Sequence, residues 1–133
     1  MPRASGPFEV ALKPLPMDED AETLLLGRMS IDKQFHGDLE ASSKGQMLTG
    51  GTSIKNSGAY VAIERVTGTL KGRRGSFTLQ HAGVMNRGAP SLVITVVPDS
   101  GTEQLEGLKG TMTINIEAGK HLYQLDYTLA DRG

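Results

Sequence analysis

Apolar and polar residues alternate with a period of two in one segment after another, and no window holds the i, i+3, i+4, i+7 apolar spacing of an amphipathic helix. The pattern predicts an all-β chain. Phe8, Val10 and Leu12 alternate with Glu9, Ala11 and Lys13, and Pro14, Pro16 and the acidic run Asp18-Glu19-Asp20 end that strand in a loop. Leu24 to about Leu48 carries one or two long strands, with Gly37-Asp38 and Ser42-Ser43-Lys44-Gly45 competing as the turn or bulge. A Gly/Ser/Asn loop from Gly50 to Gly58 leads to strands near 59–71, 76–85, 91–97, 108–117 and 120–129. Short connections favour antiparallel neighbours, and about eight such strands curl naturally into a closed eight-stranded antiparallel meander barrel; a two-sheet sandwich is the alternative.

Two hairpins have a readable register. A two-residue turn at Ala118-Gly119 places Glu117 opposite Lys120, Ile116 opposite His121, Ile114 opposite Tyr123 and Met112 opposite Leu125, which sorts the apolar residues onto one face. On the other face Lys109 and Asp126 become diagonal neighbours: an exposed ion pair or, if desolvated, an Asp beside a Lys able to support self-processing chemistry. A turn at Gly72-Arg73-Arg74-Gly75 predicts Lys71 opposite Ser76, Gly68 opposite Leu79, Val66 opposite His81 and Glu64 opposite Gly83. Glu64 and His81 then lie diagonally on a largely apolar face with Leu70, Phe77 and Leu79. A carboxylate and an imidazole are costly there unless paired, and such pairs move protons, grip polar ligand heads or serve as structural contacts. Tyr60 shares the parity of Glu64, and His36 lies where the register is open; both are secondary candidates for contacting a ligand.

The chain of 133 residues is expected to form a single domain, 1–133, with one core. Fourteen basic and fifteen acidic side chains give a net charge of −1, which argues against nucleic acid and anionic lipid as partners. The absence of Cys excludes disulfides, thiol catalysis and the common structural zinc sites. The first residues lack the apolar core of a signal peptide, and the run Leu92–Val97 is too short to span a membrane, so a soluble cytoplasmic protein is expected. His36, His81 and His121 lack metal-binding spacing, and the nucleophile-elbow, phosphate-loop and dinucleotide fingerprints are absent; no metal and no cofactor is expected. Met29, Met47, Met85 and Met112 read as core gap-fillers, of a kind that also suits linings for adaptable apolar ligands.

Three long runs, Leu26–Ala41, Tyr60–Leu70 and Gly75–Gly83, extended by Pro98-Asp99-Ser100-Gly101-Thr102 and Leu105-x-Gly107-Leu108-x-Gly110, resemble a bacterial family known as domain of unknown function 3224. The resemblance covers nearly the whole chain. It implies a barrel similar to allene oxide cyclases without carrying their catalytic residues over, so their chemistry would rest on fold analogy alone. Three readings follow. The first is a barrel that binds a small apolar or amphipathic molecule, gripped by Glu64 and His81. The second is an enzyme, either a cyclase or isomerase using Glu64 and His81, or a self-processing protein using Asp126 with Lys109. The third is a packed scaffold with no ligand. Exposed apolar strand faces and the general preference for symmetric assembly also leave a homo-oligomer in view.

Overall fold

A computed structural model of the chain describes residues 2–129. Eight strands, β1 (Arg3–Pro14), β2 (Leu26–Phe35), β3 (Leu39–Gly51), β4 (Gly58–Leu70), β5 (Arg73–Asn86), β6 (Ala89–Val96), β7 (Lys109–Glu117) and β8 (Lys120–Thr128), close in sequence order into an antiparallel barrel. The only helical element among the described residues is a 3-10 turn at Glu103–Leu105. None of their helices is long and apolar enough to cross a membrane.

Three hairpins turn on the same device: a non-glycine residue followed by glycine, both at positive φ. These are Lys71-Gly72 (46° and 83°), Arg87-Gly88 (48° and 93°) and Ala118-Gly119 (50° and 79°). Two left-handed residues match the twist of the flanking strands, and glycine adopts that conformation without the cost borne by other residues. The β7–β8 register is the one its turn predicts, with Ile116 opposite His121 and Met112 opposite Leu125. The β4–β5 register differs from the expectation. The chain turns at Lys71-Gly72, so Glu64 faces Leu79, Val66 faces Phe77 and Ala62 faces His81, while Arg73 and Arg74 already belong to β5. The competing turns between β2 and β3 resolve in favour of Gly37-Asp38, where Gly37 has φ 94°, and Ser42–Gly45 runs inside β3.

Alternation divides the barrel wall into two faces. Outside, Leu48, Val61, Ala82 and Val93 form a directly paired row across β3 to β6, exposed to solvent. Inside, the lumen is filled toward one end by Phe35, Leu39, Leu70, Phe77, Leu79, Leu125 and their neighbours. Leu105, carried by the 3-10 turn, and Leu108 belong to the same buried cluster and plug that end. Tyr123 adds polar anchoring. The Leu39 amide donates to its hydroxyl at 2.9 Å, and the hydroxyl donates to the His36 carbonyl at 2.7 Å, tying β8 to the β2–β3 turn. Burial pushes the Tyr123 phenol up to about 12, so it stays protonated.

Candidate functional site

Halfway along the lumen the apolar packing gives way to charge. Glu64 on β4 is fully buried, His81 on β5 is 3% exposed and Lys33 on β2 is 6% exposed. Lys33 shares the inward parity of Ile31 and Phe35, so the alternation that builds the core also turns its ammonium inward. Its Nζ stands 3.1 Å from Glu64 Oε2 and donates to Oε1 at 3.3 Å. It also lies 5.2 Å from the centroid of Phe8 and 5.7 Å from that of Phe35, within cation–π range. His81 Nε2 approaches Glu64 Oε1 to 3.6 Å, ion-pair rather than hydrogen-bond distance. Burial alone would push the Glu64 carboxyl up, but the nearby His81 imidazole and the Lys33 ammonium outweigh it and hold Glu64 below the ordinary carboxylate range. The result is a buried carboxylate held ionised by its two partners.

Two glycines make room for this cluster. Gly45 on β3 faces Glu64, and an added Cβ would stand 2.6 Å from the Glu64 Cα, so only glycine permits this approach of the two strands. Gly83 on β5 faces Tyr60, and an added Cβ would stand 2.5 Å from Tyr60 Cε1. The missing side chain lets the Tyr60 ring lie over β5, 6.4 Å from the His81 ring centroid. Three buried polar atoms in this part of the lumen, Ser43 Oγ, Glu64 Oε2 and His81 Nε2, have no hydrogen-bond partner among the described residues. Ser43 sits directly opposite Lys33.

Beyond Tyr60 the barrel opens. A cavity of about 590 Å³ occupies this end, lined from β2 to β6 by Gly27, Gly51, Gly58, Tyr60, Met85 and Leu92 among others. Five lining positions are glycine, and no lining residue is charged. The volume falls within the range of pockets that hold one small ligand. Tyr60 is its innermost polar side chain, and burial, with the Glu64 charge nearby, raises the phenol above its ordinary value.

The predicted site residues therefore separate. Glu64 and His81 are brought together, but by a register four residues away from the expected one: His81 is the diagonal neighbour on the other side of Glu64. Tyr60 joins them as the boundary between the charged cluster and the cavity. His36 lies at the opposite end in the β2–β3 turn, 41% exposed, with Nε2 at 3.2 Å from Glu9 and Nδ1 at 3.4 Å from Glu40. Asp126 pairs with Arg3 at 2.8 Å rather than with Lys109, because Arg3 is its direct partner on β1 while Lys109 is only diagonal on β7. Lys109 stands exposed. Lys33 was not foreseen, although Ile31, Lys33 and Phe35 on one parity already placed a lysine on an apolar face. Among the described residues no group of three or more His, Asp or Glu is arranged to hold a metal ion.

Comparison with known proteins agrees with the fold and assigns no chemistry. No curated protein matches the chain. A crystal structure of a protein with unknown function from the DUF3224 family of Shewanella oneidensis MR-1 superposes with a TM-score of 0.93 at 46% identity, covering 98% of each chain. The family model described as protein of unknown function (DUF3224) matches residues 4–127. By that match and that identity, the chain belongs to the DUF3224 family.

Proposed function

We propose that the barrel binds one small apolar or amphipathic molecule at its open end, with the apolar body in the glycine-lined cavity and any polar end directed at Tyr60. The observation that carries this reading is the cavity itself, a concave and uncharged space of about 590 Å³ floored by an aromatic ring. An apolar ligand gains roughly 25 cal/mol for each Å² it removes from water there, with no charged group to desolvate. The Lys33–Glu64–His81 cluster serves as the platform. Each of its members is paired or contacted from another strand, which fixes β2, β4 and β5 relative to one another beneath Tyr60.

Titration with diphenylhexatriene, an uncharged hydrocarbon that fluoresces when removed from water, tests the proposal. One saturable site per chain is the expected result. Absence of saturable binding would overturn it.

A further inference from the structure

Resting on the ligand-binding reading above, we infer that the cavity selects molecules whose polar end is an uncharged oxygen acceptor, such as a ketone or aldehyde carbonyl, and that the Tyr60 hydroxyl donates to it. Tyr60, Thr49 and Ser91 carry the only polar side chains among the lining residues. Ser91 has the outward parity of β6, since Ile94 and Val96 point inward. Thr49 is the direct cross-strand partner of Tyr60, but the two side chains lean apart, Thr49 toward Gly27 and Tyr60 toward Gly83. This leaves the phenol as the polar group on the floor. It donates to no acceptor among the described residues, so its hydroxyl is available to a ligand.

Charge balance separates neutral from ionic heads. No Lys, Arg, Asp or Glu lines the cavity to pair with an ionic head. Beneath the floor, Lys33 and Glu64 already neutralise each other at 3.1 Å. A carboxylate placed at Tyr60 would lose its hydration without gaining a counter-ion and would face Glu64 across the ring; an ammonium would lose its hydration and find Glu64 already occupied by Lys33. A carbonyl oxygen loses far less and accepts a hydrogen bond from the phenol. Because burial and the Glu64 charge both raise the Tyr60 phenol, it remains a donor through the neutral and mildly alkaline range.

The test is competition against diphenylhexatriene by four compounds with similar chains: octane, methyl hexyl ketone, octanoate and octylamine. The ketone is expected to bind about fivefold more tightly than octane, the effect of one hydrogen bond. It should also exceed the carboxylate and the amine by about tenfold or more. Tyr60→Phe keeps the ring over Gly83 and removes only the hydroxyl, so it should abolish the ketone's advantage over octane when both are measured against the variant's own affinity for the probe. Octanoate or octylamine binding tightest, or an unaltered ketone advantage in Tyr60→Phe, would overturn this inference. Failure of the hydrocarbon probe itself would instead overturn the ligand-binding reading on which it rests.

Discussion

The two ends of this barrel share strands, twist and alternation, yet one is a packed core and the other a cavity. At the closed end the inward positions are Phe35, Leu39, Leu70, Phe77 and Leu125, all within 1% of full burial. At the open end the inward positions of the same strands are Gly27, Gly51, Gly58 and Gly83, with Met85 and Leu92 about 40% exposed. Side-chain volume alone makes the difference, because an eight-stranded barrel is just wide enough either to be filled by its side chains or to hold one small ligand. The Lys33–Glu64–His81 cluster marks the boundary between the two regimes.

Truncations at the two ends would show the contrast most strongly. Phe35→Ala should cost about 3–5 kcal/mol by removing a ring from a dry core, whereas Met85→Ala at the rim should stay within roughly 1 kcal/mol. Chemical denaturation of both variants checks this, and equal losses would erase the distinction between the ends. At the boundary, Lys33→Met strands the Glu64 carboxylate and should cost about 3 kcal/mol or more. The double variant Lys33→Met, Glu64→Leu removes both charges and should recover much of that loss, which a thermal melt would register.

Acidity gives a smaller effect with a definite sign. The folded protein holds Glu64 below its ordinary value of 4.5, so the carboxylate's contribution is fully present above that value and is lost as pH falls through the lower folded value. Stability measured by denaturant between neutral and acidic pH should therefore fall on the acid side, and Lys33→Met, which removes one of the groups holding Glu64 ionised, should flatten that fall. A steeper fall in the variant would contradict the assignment.

How much of this was legible in the sequence depended on turn chemistry. Ala118-Gly119 offered a single two-residue turn between two alternating runs, and the β7–β8 register followed from it pair by pair. Gly72-Arg73-Arg74-Gly75 offered a turn centred on the two arginines, but the chain turns two residues earlier, at Lys71-Gly72, which moves the β4–β5 register by four residues. An even shift preserves which face each side chain takes, so Glu64 and His81 stayed inward and diagonal under either register. Lys33 was hidden because its partner strand depended on a turn left undecided between Gly37 and Gly45. Leu105 was hidden because it plugs the barrel from a loop that has no periodicity to read. The cavity was the least legible feature, since it depends on which inward glycines gather at one end, and that follows from the stagger of all the strands together.

If the glycine-lined open end holds a ligand, filling it should abolish binding, and Gly51→Leu fills it. Gly51 lines the cavity, and a Cβ there meets nothing closer than 3.6 Å, so the larger side chain fills the mouth without forcing the backbone. Diphenylhexatriene should bind the native chain at one site, and Gly51→Leu should lose this binding while its melting temperature stays unchanged. Equal binding in the native chain and the folded variant would contradict ligand binding at the open end.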